Sequence, residues 1–246
     1  MNLLCIDIGN STVKFGLFQD DSLYLQSADT ADIVSHRDII AALRERTIIQ
    51  GSIISSVVDE VTLLIGNLVK EKLGIKPVVL NSTTDTGLTI RLDRPELLGP
   101  DRIANAVAAY EMYRQNAIVV DFGTATTTTV VTSKAEIIGG HIMPGIKTML
   151  RALSEMTSRL PELRPYRPEL PFGKDTKSSI MSGVVYGTAG AVRRFVDEIE
   201  KSIGKCNIII TGGLSGISSE YLDFSYALEP DLTLKGLSFI LKRSLG

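Results

Sequence analysis

The sequence has 246 residues, of which 44% are hydrophobic and 22% are charged, a composition typical of a soluble globular protein long enough for one large domain or two ordinary ones. Its net charge of −2 comes from 26 basic and 28 acidic residues spread along the chain, which argues against nucleic acid as a partner. No apolar run approaches the roughly 18 residues of a membrane span, and Asp7 comes too early for the apolar core of a signal peptide, so we predict a cytoplasmic protein with no membrane partner.

The first part of the chain has a strand-rich start and then alternates strands with helices. Strands are predicted where short apolar runs lie between turn residues, at 3–6, 13–18, 22–26, 53–57 and 78–80. Helices are predicted where apolar residues have helical spacing, around 39–43 and over 61–73. The polar stretch at 81–99 is rich in turn residues, and it is the predicted boundary between a first half at 1–98 and a second half at 99–246.

The second part repeats this order of elements. Its predicted strands are the apolar runs at 117–121, 126–132, 136–142 and 207–211. Its predicted helices lie at 101–114, at 144–160 with Pro144 in the favoured first position, around 176–202 and at 234–245. The proline-rich segment 161–172 is predicted to be a loop, and the last helix is predicted to pack across a sheet.

A motif that suits phosphate binding follows the first strand, in the sequence DIGNSTVKFG at 7–16. Asp7 stands at the carboxyl end of that strand, where ligands gather in open α/β sheets, and Gly9 lets the backbone approach a phosphate closely. Lys14 adds a positive charge, and the turn offers short donors whose neighbouring amides can bind an anion: Asn10, Ser11 and Thr12. This combination suits a polyphosphate with a divalent metal ion, which Asp7 would hold directly or through water. The alternative is an ordinary β-turn in which Lys14 is merely solvated.

The same pattern occurs a second time, in DFGTATTTTV at 121–130. Asp121, Gly123, Thr124 and Thr126 occupy the equivalent places in the second half, so two such loops are predicted to grip one nucleotide. A third feature, the strand and glycine pair IIITGG at 208–213, could place backbone against a base or a ribose. The Walker and Rossmann glycine patterns are absent from the sequence, so no competing nucleotide fold is indicated.

The ordered motifs resemble one family, the type III pantothenate kinases of the actin-like superfamily of sugar and acetate kinases. The resemblance rests on six stretches that follow one another over nearly the whole length: DIGNSTVKFGLF, GPDRIANAVAAY, DFGTATT, GGHIMPG, FGKDT and TGG. It implies an α/β fold of two ribonuclease H-like halves, with mixed sheets flanked by helices and an ATP cleft between the halves. It also implies an enzyme that phosphorylates pantothenate with ATP, opens coenzyme A synthesis, acts as a homodimer, and needs Mg²⁺ or another divalent cation together with K⁺ or NH₄⁺.

Site residues are implied by the same resemblance, position by position. The first ATP and phosphate loop would comprise Asp7, Ile8, Gly9, Asn10, Ser11, Thr12, Val13 and Lys14. The stretch that grips pantothenate would comprise Gly99, Pro100, Asp101 and Arg102, with Asp101 as the general base. Asp121 would hold the monovalent cation, Thr124 would contact ATP, and Thr176 would reach the substrate across the dimer. Asp7 would bind Mg²⁺, possibly through water.

Three positions depart from the family pattern. Leu92 and Arg94 stand where the family commonly has an aromatic residue and an asparagine, Thr129 stands where it commonly has an aspartate, and His141 replaces a small residue. These departures leave open a different small alcohol as the acceptor. A nucleotide-binding regulatory homologue with little turnover is the alternative from another class. Asp101 alone could also be explained as an acid favoured at a helix start by the helix dipole.

Overall fold

The computed structural model describes residues 1–20 and 22–246 and divides into two compact units. The first unit comprises residues 1–112, 135–137 and 232–246, and the second comprises residues 113–134 and 138–231. These bounds differ from the predicted halves at 1–98 and 99–246, because the helix that follows Gly99 and the last helix of the chain both pack within the first unit.

Strands and helices alternate much as the sequence predicts. The strands are β1 (Asn2–Ile8), β2 (Thr12–Gln19), β3 (Ser22–Asp29), β4 (Gly51–Ser56), β5 (Val78–Val79), β6 (Thr89–Ile90), β7 (Ala117–Phe122), β8 (Ala125–Thr132), β9 (Glu136–Pro144), β10 (Asn207–Thr211) and β11 (Ala227–Leu228). The helices are α1 (Ile33–Arg46), α2 (Asp59–Leu73), α3 (Pro100–Tyr113), α4 (Ile146–Glu155), α5 (Thr176–Ile203), α6 (Ser215–Ser218) and α7 (Leu232–Leu245). Among the described residues, none of these helices is both long and apolar enough to cross a membrane.

The first unit is built on a five-stranded sheet with the order β3-β2-β1-β4-β5. The first three strands form an antiparallel meander, and β4 and β5 add to β1 in parallel through the α1 and α2 crossovers. One face of β1 is buried with residues of α1 and α2 such as Ile40 and Ile65. Helix α7 packs against β1 and β4, as predicted for the last helix. Strand β1 is therefore the central strand of this sheet, and its carboxyl end, where Asp7 lies, is packed between neighbouring strands.

The second unit is built on a sheet with the order β11-β10-β7-β8-β9, in which β7 pairs with β8 antiparallel and with β10 in parallel. Residues of β7 and β10 form a core with Val192 and Val196 of α5. The first two residues of β9 lie in the first unit, where they pair with β6. The α/β fold class with mixed sheets flanked by helices is confirmed.

Helix α4 begins later than the sequence predicts. Pro144 completes β9 and is not the first helical residue, and the helix starts at Ile146 after an extended Gly145. The reason is tertiary, because the Gly145 N–H donates to the carbonyl of Thr124 at 3.0 Å and so holds the chain extended for one more residue. The helix ends at Glu155, short of the predicted residue 160.

The two cysteines, Cys5 and Cys206, are free thiols. Cys5 is fully buried in β1. Cys206 is half-buried, and burial together with the nearby Glu200 carboxylate raises the pKa of its thiol to about 11. Both side chains are therefore protonated at neutral pH, in keeping with their role as small apolar residues.

Candidate active site

Asp7 lies at the carboxyl end of β1 between a cation and a hydroxyl. In the antiparallel register Asp7 stands opposite Lys14 of β2, and in the parallel register it stands beside Ser55 of β4. The Ser55 hydroxyl donates to Asp7 Oδ1 at 3.1 Å. Directly opposite residues of an antiparallel pair project on the same face, so the carboxylate and the ammonium group share one side of the sheet. The joint role of Asp7 and Lys14 stays a prediction, and the register brings their side chains to one face of the sheet.

The loop between β1 and β2 is short and open. The Gly9 N–H donates to the Thr12 carbonyl at 3.0 Å and closes the turn. Asn10, Ser11 and Thr12 are exposed, whereas Ile8 and Val13 on either side are buried. The buried pair anchors the hairpin in the core, and the polar residues between them are presented to solvent. This is the arrangement expected of a loop that binds an anion with backbone amides.

Asp101 lies in the first turn of α3, directly after Pro100 at the first helical position. Its carboxylate folds back over Gly99, since a Cβ at Gly99 would come within 2.5 Å of Asp101 Oδ1. Any side chain at position 99 would therefore displace the carboxylate. The Gly99 carbonyl accepts the first helical hydrogen bond, from the Ile103 N–H at 3.1 Å. The local geometry of this helix start therefore explains why Gly99, Pro100 and Asp101 follow one another in the sequence.

Arg102 follows Asp101 and is half-buried. Desolvation lowers the pKa of its guanidinium below the ordinary value, and the neighbouring Asp101 carboxylate opposes that change. A partly desolvated guanidinium favours a carboxylate ligand, because a bidentate ion pair replaces the lost hydration. Arg102 therefore suits recognition of a small carboxylic acid.

Helix α3 is held in place by α7. The backbone of Ala104 lies against Gly236, where a Cβ would overlap the Ala104 carbonyl. One residue farther on, the Thr233 hydroxyl donates to the side-chain amide oxygen of the buried Asn105 at 2.9 Å. Since α7 also packs on β1, the same helix supports the strand that carries Asp7 and the helix that carries Asp101. Sequence reasoning missed this role of Gly236, because nothing local to the α7 sequence indicates what approaches it.

The second phosphate-type loop is built on β7 and β8 in the second unit. Asp121 pairs with Thr127 of β8 and with Thr211 of β10. Beyond Thr211, Gly212 has a φ of +97° and lies against the Asp121 carboxylate and the Phe122 amide, where a Cβ would overlap both. The glycine pair that the sequence analysis singled out thus packs directly on the second acid.

The tip of this second loop is held by its carbonyl at Thr124. That oxygen accepts the Gly145 N–H at 3.0 Å and the Thr148 hydroxyl at 2.6 Å. Gly145 also lies so close that a Cβ there would come within 2.6 Å of the same oxygen. Thr124 itself is exposed. Sequence reasoning did not assign Gly145 or Thr148 to the loop, although the GGHIMPG motif contains the glycine.

Comparison with known proteins decides the family. The sequence model of the type III pantothenate kinase family matches residues 3–198. The type III pantothenate kinase of Moorella thermoacetica is 33% identical over 252 aligned residues, which cover 98% of this chain and 99% of that protein. The enzyme of the same name from Roseiflexus is 36% identical and covers 97% of each chain. This chain belongs to the type III pantothenate kinase family.

Solved structures agree with the fold of this kinase family. The ethanolamine utilization protein EutJ from Carboxydothermus hydrogenoformans has a TM-score of 0.55 at 17% identity, with 98% of this chain and 90% of that chain covered. A ROK family glucokinase from Streptomyces griseus has a TM-score of 0.53 at 12% identity, with 99% and 100% covered. At these identities the likeness concerns the fold alone.

Thr176 is the first residue of α5. The family resemblance predicts that this residue reaches the substrate across a dimer. The helix begins with a capping box, because the Asp175 carboxylate accepts the Ser178 N–H at 2.9 Å and the Asp175 N–H donates to the Ser178 hydroxyl at 3.2 Å. Hydrogen bonds from Ser178 also lower the pKa of Asp175. Thr176 is exposed beside this cap, so its side chain is available to a ligand or a partner.

The positions that depart from the family pattern have different surroundings. Arg94 is exposed and forms an ion pair with Glu96 at 2.9 Å. Thr129 is buried in β8. His141 stacks on Phe195 of α5, with ring centroids 4.0 Å apart and planes 7° from parallel, and its Nδ1 lies 2.8 Å from the hydroxyl of Thr128. The histidine therefore fills its place with an aromatic stack that a small residue could not make.

The donors present fit a divalent cation held mainly by the substrate. Among residues 1–20 and 22–246, no three histidine, cysteine or acidic side chains are grouped as a complete metal site. The Asp7 carboxylate, supported by Ser55, is nevertheless the kind of single ligand that Mg²⁺ uses when phosphate oxygens and water complete its shell. Such an ion would neutralise phosphate charge when bound with ATP.

Proposed function

We propose that this chain transfers the terminal phosphoryl group of ATP to the primary hydroxyl of pantothenate and so forms 4'-phosphopantothenate, the first step of coenzyme A biosynthesis. The observation that carries the proposal is identity of 33% and 36% to type III pantothenate kinases over nearly the full length. The residues proposed below to take part in the reaction lie on the folded elements described above.

Asp101 is the proposed general base. As the substrate oxygen approaches phosphorus, the carboxylate accepts the hydroxyl proton, a new oxygen–phosphorus bond forms, and the bond to the bridging oxygen of ADP breaks. The start of α3 favours a negative charge, because the positive end of the helix dipole lies there. Arg102 follows Asp101 in the chain, and its guanidinium is proposed to pair with the pantothenate carboxylate.

The loop from Asp7 to Lys14 is proposed to bind the phosphates of ATP. Lys14 offsets phosphate charge, backbone amides of the exposed turn bind phosphate oxygens, and Asp7 holds the divalent cation directly or through water. In phosphoryl transfer a protein mostly positions groups and offsets charge, so these residues supply what the reaction needs from the first unit.

In the second unit, Asp121 is proposed to hold K⁺ or NH₄⁺ and Thr124 to contact ATP. The neighbours of Asp121 in the two ladders are Thr127 and Thr211, which are uncharged. Oxygen donors around one carboxylate suit a weakly held monovalent cation. Its positive charge would relieve repulsion between the carboxylate and phosphate oxygens.

A homodimer formed along α5 is proposed to bring Thr176 to the partner's pantothenate. Thr176 and the glycines at 183, 187 and 190 are exposed, and a Cβ at any of these three glycines would meet no atom within 4 Å. The positions recur at helical spacing on one face, so another backbone can approach closely there. The cytoplasm, where ATP and pantothenate are available, is the proposed location.

One experiment tests the proposal and separates it from its alternatives. Purified protein is incubated with ATP, Mg²⁺ and K⁺ and with a panel of small alcohols that includes pantothenate, and phosphorylated products are identified by mass spectrometry. We expect 4'-phosphopantothenate. Transfer to another alcohol with none to pantothenate would change the acceptor, and ATP binding with no transfer to any alcohol would favour a regulatory protein.

A further inference from the structure

Thr30 lies behind the first phosphate loop and bonds to both of its arms. The residue follows β3, and only 7% of its surface is exposed. Its hydroxyl donates to the Gly9 carbonyl at 2.7 Å, and its backbone N–H donates to the Ser11 carbonyl at 3.1 Å. One buried residue thus fixes two carbonyl groups of the loop that connects β1 and β2.

These two bonds determine where the loop amides point. In a trans peptide unit the C=O of one residue and the N–H of the next point in opposite directions. The peptide bonds concerned are trans. With the carbonyls of Gly9 and Ser11 turned toward Thr30, the N–H groups of Asn10 and Thr12 are turned away from it. Since Asn10 and Thr12 are exposed, both amides face the side of the loop that an anion can reach.

Thr30 is itself held firmly by the start of α1. The carbonyl of Asp29 accepts the Asp32 N–H at 2.9 Å and lies 3.0 Å from Nε2 of His36, which therefore carries the proton. His36 is completely buried, and its Nδ1 has no hydrogen-bond partner among the described residues. Asp32 caps the helix by accepting the Ser35 N–H at 3.1 Å. The turn that carries Thr30 is thus fixed on both sides of the residue.

We infer that Thr30 is a positioning residue for phosphate binding, which sets the Asn10 and Thr12 amides toward the anionic oxygens of the triphosphate. The inference rests on the proposed function, in which this loop binds ATP. Thr30 touches neither substrate nor reacting atoms, because its hydroxyl and its backbone N–H both donate to carbonyls of the loop. The hydroxyl contributes preorganisation, and its loss lets the Gly9–Asn10 peptide unit rotate.

The test compares three variants of the intact protein. Thr30→Val removes the hydroxyl and keeps shape and backbone, and Thr30→Ser keeps the hydroxyl. Thr62→Val is the matched control, since the Thr62 hydroxyl also donates to a backbone carbonyl, that of Val58 at 2.8 Å, but at the start of α2. The KM values for ATP and pantothenate, kcat, the Kd for ATP by calorimetry and the melting temperature are measured for each, well below the melting transition.

We expect Thr30→Val to lower kcat/KM for ATP by about 10- to 100-fold, as a displaced binding group does, with the KM for pantothenate nearly unchanged. Thr30→Ser should stay within about threefold of wild type, and Thr62→Val should match wild type in all kinetic constants. A Thr30→Val protein that melts earlier but keeps the wild-type KM and Kd for ATP would overturn the inference. If the wild type phosphorylates no acceptor, the proposed function fails, and the Kd for ATP of the same variants still decides the role of Thr30.

Discussion

The two Asp-x-Gly hairpins of this chain share a plan but differ in charge and support. In the first, Asp7 stands opposite Lys14 and beside Ser55. In the second, Asp121 stands opposite Thr127 and beside Thr211, and Gly212 lies against its carboxylate. The first hairpin therefore supplies a cation next to its acid from the protein, and the second offers hydroxyls. This difference underlies the proposal that the first loop binds phosphate and that the second holds an added monovalent cation.

The two loops are also held from behind in different ways. The first is fixed at two carbonyls, those of Gly9 and Ser11, by one residue, Thr30. The second is fixed at one carbonyl, that of Thr124, by two residues. The support therefore orients two peptide units in the first loop, whereas in the second loop it holds the backbone at one carbonyl. We therefore expect the two loops, despite their similar sequences, to differ in how much a substitution destabilises them.

The largest expected effect is the loss of activity without a monovalent cation. If Asp121 opposes phosphate oxygens with no lysine opposite it, a cation must lie between the two anions. Replacing K⁺ by tetramethylammonium at constant ionic strength should abolish turnover. Undiminished turnover in tetramethylammonium would show that the reaction needs no small monovalent cation.

A substitution in the second hairpin sharpens this prediction. Thr127→Lys places an ammonium group opposite Asp121, as Lys14 stands opposite Asp7. We expect this variant to retain part of its activity in tetramethylammonium, whereas the uncharged control Thr127→Met should lose it as the wild type does. Equal dependence on K⁺ in the two variants would show that the charge difference between the hairpins is not the cause.

The next effect concerns stability and compares Gly145 with Gly9. Neither glycine has a left-handed backbone conformation, so the space around an added Cβ determines how much an alanine destabilises the protein at each position. A Cβ at Gly145 would overlap the backbone of the second loop, whereas a Cβ at Gly9 would lie 3.2 Å from the Thr12 carbonyl. We expect Gly145→Ala to lower the free energy of unfolding by about 1–3 kcal/mol and Gly9→Ala to change it by less than about 1 kcal/mol. Urea unfolding of both variants measures this, and equal losses would contradict the difference in support.

How much of this could be foreseen depends on whether a feature is local. The β1–β3 meander and helix α2 follow from apolar periodicity within each segment, and the start of α3 follows from Gly99, Pro100 and Asp101 themselves. The start of α4 was predicted at Pro144 and lies at Ile146, because a distant carbonyl binds the Gly145 N–H. The two-residue strands β6 and β11 carry too little pattern to be predicted.

The same reason explains which parts of the candidate site were missed. Asp7, Lys14 and Asp121 belong to motifs that are contiguous in sequence. Thr30 acts on a loop about twenty residues away, and Gly236 packs on Ala104 from the far end of the chain. Their roles depend on what the fold brings to them, and no spacing within their own segments indicates it.

The smallest expected effect concerns Thr176. If its exposed side chain completes the partner's pocket, Thr176→Ala loses about one hydrogen bond and should raise the KM for pantothenate by roughly fivefold, with kcat and the KM for ATP little changed. Mixing this variant with Asp101→Asn should restore some normal sites through subunit exchange. A monomer with full activity in sedimentation and kinetic measurements would contradict the shared pocket.

The turnover of Asp101→Asn tests the central claim most directly. Asparagine is nearly isosteric and is tolerated near a helix start, so the variant should fold and bind ATP as the wild type does. If Asp101 is the general base, kcat for pantothenate phosphorylation should fall by roughly 10²- to 10⁴-fold while the melting temperature and the Kd for ATP stay nearly constant. If the acid merely favours the start of α3, its loss should cost about 0.3–1 kcal/mol of stability and leave kcat near normal. Wild-type turnover in this variant would contradict the assignment of the base.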